Sequence, residues 1–169
     1  MIWYVLLIVA VAVERVAELA VAQRNLSWSR AHGGVEFGAR HYRVMVVLHT
    51  GLLAGCLVEA VASHRQFIPA LGLPMLSVVL AAQGLRWWCI ATLGPQWNTR
   101  VVVVPGAARV VAGPYRFLPH PNYVAVIAEG IALPLVHSAW ITALVFSVLN
   151  AALLRTRIKV ENSALASLT

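Results

Sequence analysis

Apolar residues along this chain are gathered into five runs, and the short segments between them hold most of the charged residues. A run of roughly 17 to 25 apolar residues can cross the hydrocarbon core of a bilayer as one helix. The pattern predicts an all-α membrane bundle of about five transmembrane helices, with runs at residues 1–22, about 42–62, about 68–93, 121–136 and 139–154. Only His137 and Ser138 join the last two runs, which predicts a tight helical hairpin.

The first run ends in small residues that suit a signal-peptidase site, but the rest of it does not resemble a signal peptide. No basic segment precedes the apolar residues, and Glu14, Arg15 and Glu18 interrupt them. We therefore expect this run to be retained as a helix.

Composition also favours a membrane protein. The chain is 60% hydrophobic and only 11% charged, which is too little charge to solvate an ordinary globular surface. We interpret residues 1–169 as a single integral membrane domain. The formal net charge of +7 falls between the apolar runs instead of along one face, so it indicates membrane topology and not a nucleic-acid partner.

Lysine and arginine outside the runs concentrate in three segments, at residues 24–43, 100–116 and 155–159, whereas Arg65 stands alone in the segments between them. Positively charged loops of membrane proteins remain in the cytoplasm. This rule predicts a multi-pass cell-membrane protein with those three segments facing the cytoplasm and the N-terminus outside.

Several features have plain structural interpretations. Residues 101–104 are four valines, which predicts a short strand or a buried extended segment. Gly51 and Gly55 form a small-xxx-small pair that favours helix packing. The spacing of Cys56 and Cys89 indicates neither a disulfide framework nor a metal site. No metal pattern includes the following histidines, and we assign them no role: His32, His41, His49, His64 and His137.

Ionisable residues inside the apolar runs are costly, and such residues usually face a bundle interior or a cavity. On helical spacing, Glu14 and Glu18 share a face that Arg15 does not. Snorkelling or interhelical pairing is the plainer interpretation, but Arg86 and Glu129 are also candidates to line a pocket. The full set is Glu14, Arg15, Glu18, Glu59, Arg86 and Glu129.

The polar segment at residues 113–123 is the strongest candidate site. Gly-Pro predicts a turn, Tyr115 and Tyr123 supply aromatic faces, and Pro121 suits the first position of a helix. An aromatic face attracts a cation, and helix N-terminal amides attract a carboxylate. The alternative interpretation is an interfacial tyrosine belt followed by a helix start.

Arg157 and Glu161 are four residues apart and share a face if the tail is helical. One interpretation is a weak ion pair within the helix. The other is that the Arg157 guanidinium presents its donors to an anionic substrate oxygen, while Glu161 accepts from an amino group of a cofactor.

Together these motifs, Gly-Pro-Tyr at 113–115, Pro-His-Pro-Asn-Tyr at 119–123 and Arg-Ile-Lys-Val-Glu at 157–161, resemble the isoprenylcysteine carboxyl methyltransferase family. The chain departs from the family pattern at Pro119, where arginine is usual. Residues 97–100 (Trp-Asn-Thr-Arg) also resemble bacterial members found beside type III polyketide synthases, which methylate hydroxyls of alkylpyrones or alkylresorcinols.

The resemblance implies an S-adenosylmethionine-dependent O-methyltransferase that acts on a lipid-like substrate entering from the bilayer. By position in the motifs, it implies Arg157 as the catalytic residue that contacts the substrate. It implies cofactor contacts at Arg109, Val110, Tyr115, His120, Pro121, Asn122, Tyr123 and Glu161. It implies no metal. No Gly-x-Gly-x-x-Gly occurs among the 11 glycines, so the cofactor would be held in another way than on a Rossmann sheet.

Two alternatives remain open from the sequence. One is a non-catalytic membrane scaffold or small transporter subunit, in which Arg86 and Glu129 would belong to an ion path. The other is methylation of a phospholipid amine, against which the fixed charge of Arg157 argues.

Overall fold

The structure, a computed structural model, describes residues 1–168, so Thr169 of the predicted domain lies outside the described residues. The five predicted helices are present. Their bounds are α1 Ile2–Ala31, α2 Ala39–Ala62, α3 Pro69–Leu93, α4 Pro121–Leu135 and α5 Trp140–Leu168. The two short strands are β1 Val35–Phe37 and β2 Val101–Val103, and 3-10 turns lie at Gly94–Gln96 and Gly113–Arg116.

Three stretches in the described part of the chain are long and apolar enough to cross a membrane, namely Ala39–Ala62, Pro69–Gln96 and Trp140–Ala166. The α4 helix is apolar but has only 15 residues. The α1 helix is long, with 30 residues, but carries three charged side chains in its apolar part. The all-α membrane bundle predicted from the sequence is confirmed.

Two helices extend well past their apolar runs. The α1 helix continues beyond residue 22 to Ala31, where Gly33 adopts a positive φ of 77°. There the Gly33 amide donates to Arg30 and the Gly34 amide to Ser29, the hydrogen bonds of a Schellman helix end. The α5 helix likewise continues through the basic tail to Leu168. Hydropathy therefore predicted where the apolar surface ends, and not where each helix ends.

Contacts at the N-terminus of α1 define one end of the bundle. The Tyr4 hydroxyl donates to the Leu133 carbonyl at 3.1 Å, and the rings of Trp3 and Phe67 lie 4.9 Å apart. The α1 N-terminus, the α2–α3 connection with Arg65 and the α4–α5 hairpin thus share this end. The three segments rich in lysine and arginine share the opposite end, which agrees with the prediction that they lie on one side of the membrane.

Close helix packing depends on small residues at two contacts. A Cβ atom at Gly130 of α4 would lie 2.0 Å from the Phe146 ring of α5, and one at Gly55 of α2 would lie 3.0 Å from Thr142. A Cβ atom at Gly51, in contrast, would have no atom of a neighbouring helix within 4 Å, so the predicted small-xxx-small pair is wrong for that residue. Cys56 and Cys89 are free and buried.

The two strands pair antiparallel, with Val35 opposite Val103 and Phe37 opposite Val101. The extended valine segment predicted from the sequence is confirmed, but its partner strand β1 was not predicted. Arg100, beside β2, donates to Glu36 of β1 at 2.8 Å. The two-stranded sheet therefore joins the α1–α2 connection to the α3–α4 connection at the basic end.

Five of the six ionisable residues predicted inside the apolar runs form ion pairs, whereas Glu14 accepts a hydrogen bond from Trp87 Nε1 at 2.7 Å. Arg15 bonds Glu18 at 2.7 Å and also contacts Glu129, so the prediction that Arg15 does not share the helix face of Glu18 is wrong. Arg86 contacts Glu129, and its Nε lies 3.3 Å from Glu18 Oε1. We call these four residues the buried ion cluster; it joins α1, α3 and α4.

Glu59 has a separate structural role at the other end of the bundle. Its carboxylate accepts from the Thr142 amide at 2.7 Å and the Ile141 amide at 3.2 Å. It also accepts from Arg65 at 2.9 Å. The carboxylate thus satisfies the otherwise unpaired amides at the start of α5, where a helix end favours negative charge.

Candidate active site

The start of α4 is set by backbone restrictions in the preceding loop. Gly113 has a positive φ of 53°, and a Cβ atom there would lie 2.5 Å from Thr92 Oγ1 of α3. The loop can therefore approach α3 only with glycine at this position. Pro121 occupies the first turn of α4, where its missing amide costs nothing. These restrictions place His120 and Tyr123 at the basic end of the bundle.

Tyr123, Glu161 and His120 form one contact group. The Tyr123 hydroxyl donates to Glu161 Oε2 at 2.5 Å, and His120 Nδ1 lies 3.5 Å from Glu161 Oε1. The His120 and Tyr123 rings stack, with centroids 5.4 Å apart and planes at 26°. We call these three residues the carboxylate group; it joins the start of α4 to the last part of α5.

The hydrogen bond to Glu161 raises the pKa of the His120 imidazole above its ordinary value, and partial burial opposes this rise. The charged form of His120 is therefore favoured while Glu161 is ionised. Burial likewise raises the pKa of the Tyr115 hydroxyl, so this group keeps its proton and remains a hydrogen-bond donor.

Arg157 lies one helical turn before Glu161, with only 6% of its surface exposed. Its Nη2 donates to the Thr99 carbonyl at 2.8 Å, and its Nη1 lies 2.9 Å from Met45 Sδ. Its Nε is buried and has no hydrogen-bond partner. Within the described side chains Arg157 forms no ion pair, so no neighbouring carboxylate cancels the charge of this buried guanidinium.

A cavity of about 1000 Å³ brings the predicted residues together. Arg157 lines it, and so do seven of the eight predicted cofactor contacts: Arg109, Val110, Tyr115, His120, Asn122, Tyr123 and Glu161. Pro121 is the exception, since it is buried at the helix start and not on the cavity wall. Asn122 adds a buried Oδ1 without a hydrogen-bond partner.

The cavity also extends inward to all four residues of the buried ion cluster. Sequence reasoning predicted the pocket position of Arg86 and Glu129. It missed Met45 and the Thr99 carbonyl, because neither a methionine in an apolar helix nor a backbone oxygen has a chemical signature in sequence. It also missed Asn150, which lines the cavity and whose buried Oδ1 has no hydrogen-bond partner, although a polar residue inside an apolar run was a usable signal.

Comparison with known proteins agrees with this geometry. The model of the isoprenylcysteine carboxyl methyltransferase family matches residues 75–167, a range that contains the predicted site residues. The chain is 38% identical over 160 residues to the uncharacterized protein YpbQ of Bacillus subtilis, covering 95% of each chain. It is 25% identical over 155 residues to an uncharacterized protein of Haemophilus influenzae, covering 91% of this chain and 90% of that one. This integral membrane protein belongs to the isoprenylcysteine carboxyl methyltransferase family, whose name describes methyl transfer.

Proposed function

We propose that the protein is an S-adenosylmethionine-dependent O-methyltransferase whose acceptor is a lipid-like molecule. The observation that carries this proposal is the single cavity that joins the carboxylate group, Arg157 and the apolar walls of three helices. A polar donor and an apolar acceptor need such a shared space in order to meet.

The residues present fit the proposed cofactor. The amino group of the cofactor requires a hydrogen-bond acceptor, and the Glu161 carboxylate is one. The buried Asn122 Oδ1 is a second hydrogen-bond acceptor, and it has no partner. The carboxylate of the cofactor suits the amides at the start of α4. Tyr115 and Tyr123 line the cavity, and an aromatic face there would attract a cationic sulfonium by about 0.5 to 2 kcal/mol.

When bound, the cofactor supplies a methyl group on a sulfonium, which is transferred in line to an oxygen. The protein's contribution is alignment and exclusion of water. Arg157 would hold the acceptor oxygen through the remaining N–H groups of its terminal nitrogens, because Thr99 and Met45 each take only one of the two N–H groups on those nitrogens. A charged oxygen beside this buried guanidinium would keep its orientation at little entropic cost.

The proposed acceptor is an isoprenylcysteine carboxylate or the hydroxyl of an alkylpyrone or alkylresorcinol. Apolar residues on the helical walls of the cavity, including Leu53, Val126 and Leu153, suit an alkyl chain. The basic end of the bundle would face the cytoplasm, since arginine-rich loops remain on that side. The polar cofactor would then enter from the cytoplasm and the acceptor from the bilayer.

The buried ion cluster argues against the transporter alternative. Arg86 and Glu129, the residues that an ion path would use, contact each other directly. An ion path requires groups that exchange partners with the ion, whereas these are held by neighbouring charges on α1 as well.

The test uses the purified full chain in detergent. Calorimetry measures binding of S-adenosylmethionine and its demethylated product, and methyl-labelled cofactor measures transfer to prenylcysteine, alkylpyrone and alkylresorcinol acceptors. We expect binding of both nucleosides and transfer to at least one acceptor. Failure to bind either nucleoside would reject the enzymatic proposal and support a scaffold.

A further inference from the structure

The inner part of the cavity contains polar groups that have no role in the methyl transfer proposed above. Tyr123 and Glu129 are six residues apart on α4, so the ion cluster lies about 9 Å further along the helix axis than the carboxylate group. His49 of α2, one turn past Met45, and Asn150 of α5, two turns before Arg157, also line the cavity on the side toward the ion cluster. We call the part of the cavity between these residues and the ion cluster the inner chamber. This inner chamber is therefore polar although it lies among the membrane-spanning helices.

The ion cluster at the end of the chamber carries no surplus charge. Arg15 and Arg86 are matched by Glu18 and Glu129, and both arginines contact Glu129. A cluster whose charges cancel neither attracts an anionic group strongly nor repels a cation that forms nearby. The chamber thus suits a neutral polar group better than a carboxylate.

His49 has a defined tautomer in this chamber. Its Nδ1 lies 2.9 Å from the Met45 carbonyl oxygen. A carbonyl oxygen can only accept, so His49 Nδ1 carries the proton and donates it. The neutral ring then has a lone pair on Nε2, which makes this nitrogen a proton acceptor.

Met45 contacts both His49 and Arg157, the residue that would hold the acceptor oxygen. Met45, which accepts the His49 hydrogen bond through its carbonyl, also touches Arg157 through its sulfur. Asn150 lies two helical turns before Arg157 on α5, and its buried Oδ1 has no partner. His49 and Asn150 therefore line the chamber one to two helical turns deeper than Arg157, the buried cation that would hold the acceptor oxygen.

We infer that His49 is the general base for an acceptor that carries a hydroxyl group, an inference that rests on the proposed function. The acceptor O–H bond breaks and its proton passes to His49 Nε2. The oxygen lone pair forms the bond to the methyl carbon, and the electron pair of the C–S bond stays on sulfur. The imidazolium then releases the proton to water, which restores the starting state.

This role separates two classes of acceptor by their chemistry. A phenol has a pKa of about 10 and holds its proton at neutral pH, so a base accelerates its methylation. A carboxylate has a pKa of about 4 and arrives already ionised, so it needs no base. His49 is therefore required for hydroxyl acceptors and dispensable for carboxylates.

The experiment compares His49→Gln with His32→Gln in the full chain. Glutamine retains an amide donor for the Met45 carbonyl but has no basic lone pair. His32 is a matched control, because its Nδ1 makes the same hydrogen bond to the carbonyl four residues earlier, at 2.8 Å, but its side chain is exposed and does not line the cavity. The acceptors are a long-chain 5-alkylresorcinol and a prenylcysteine carboxylate.

We expect His49→Gln to lower kcat/KM for the resorcinol by about 100-fold or more at neutral pH. The loss should shrink tenfold per pH unit as the pH approaches the resorcinol pKa, since the acceptor then ionises by itself. Cofactor affinity, and any transfer to the carboxylate, should stay within about threefold of the unaltered protein. His32→Gln should match the unaltered protein throughout.

The pH profile of the unaltered protein provides a measurement that does not depend on variant folding. Transfer to the resorcinol should fall as the pH drops through the His49 titration, whereas transfer to the carboxylate should not. The charged groups that face His49 from α1, α3 and α4 are Arg15, Arg86 and Glu129.

The possible outcomes separate the two proposals. Equal resorcinol activity in His49→Gln and His32→Gln, a loss that does not change with pH, or transfer by the unaltered protein to the carboxylate alone would each overturn the role of His49 and leave the methyltransferase proposal standing. No transfer to either acceptor would overturn both.

Discussion

The buried ion cluster and the carboxylate group line the same cavity, but they differ in how far their charges are satisfied. In the ion cluster each arginine contacts two carboxylates. Near the carboxylate group, Arg157 forms no ion pair among the described side chains. A buried nitrogen without a hydrogen bond does not distinguish the two arginines, because the Nε atoms of both Arg86 and Arg157 lack one. Both regions hold ionisable residues at costly depth, so burial alone does not distinguish them.

The difference indicates what each region does. A buried charge without its partner destabilises a protein, so a closed set of pairs is a packing device that holds three helices together. A buried charge without an opposite charge beside it is stabilised when an oppositely charged ligand binds. On this criterion we expect the ion cluster to maintain the bundle and Arg157 to bind an anionic group.

The largest expected effect is on the ion cluster. Arg86→Met leaves Glu18 and Glu129 with one cation between them, which should cost about 3 to 5 kcal/mol of unfolding free energy. The double variant with Glu18→Leu keeps one Arg15–Glu129 pair and should recover part of that loss. Thermal unfolding in detergent, followed by circular dichroism, measures both. A loss below about 1 kcal/mol in the single variant would remove the distinction between the regions.

Arg157→Lys tests the region around Arg157, where we expect a loss of activity with little loss of stability, the reverse of the effect of Arg86→Met. Lysine retains the charge but lacks the planar set of donors that reaches Thr99 and the acceptor together. We expect kcat/KM to fall by about tenfold to hundredfold, with little change in thermal stability or cofactor affinity. Arg155→Lys, on an exposed position of the same helix, should change neither. An unfolding shift as large as that of Arg86→Met would contradict a binding role.

Tyr123→Phe removes the hydroxyl that donates to Glu161. Since this bond is made to an ionised carboxylate, its loss should weaken S-adenosylmethionine binding by about tenfold in calorimetry. The control is Tyr42→Phe, because Tyr42 contacts Arg100 through its ring, with the guanidinium carbon 4.2 Å from the centroid. Equal affinities in the two variants would show that the Tyr123 hydroxyl does not position Glu161 for a ligand.

The raised pKa of His120 predicts a smaller effect, one of pH on stability. Because the folded value lies above the unfolded value of about 6.5, the stabilisation by the His120–Glu161 contact is complete below that pH. It is lost as the pH rises through the folded value. We expect His120→Gln and Glu161→Gln each to flatten the fall in melting temperature above about pH 6.5. An unchanged slope in both would contradict the contact.

The smallest effect is expected at the two-stranded sheet. Arg100 and Glu36 are each partly exposed, so Glu36→Gln should lower stability by at most about 1 kcal/mol, and less at high salt. Thermal unfolding at two salt concentrations measures this. A larger loss would mean that the sheet contributes to the bundle as strongly as the buried charges do.

Much of the fold follows from local features of the chain. The apolar runs predicted the five helices, the valines predicted the extended segment, and Pro121 predicted where α4 begins. Helix length was harder to predict. Gly33 was the usable signal for the end of α1, because a helix continues past the apolar surface until a residue leaves helical geometry.

The site was predictable only in part. Motif spacing selected Tyr123, Arg157 and Glu161, which do line one cavity. It could not select the contacts of Arg157, since Met45 lies 112 residues away along the chain and Thr99 acts through its backbone. Nor could it separate Arg157 from Arg86, because both are arginines in apolar surroundings and only their neighbours differ.

Sequence by itself therefore determined the helices, their alternating direction and the residue types available for chemistry. These depend on hydropathy and on backbone preferences that act within a few residues. Tertiary structure alone decided which charges cancel, which polar atoms lack a partner and that His49 lines the cavity together with His120. The physical reason is that pairing depends on distances of a few ångströms between helices, and those distances are set by packing of residues far apart in the chain.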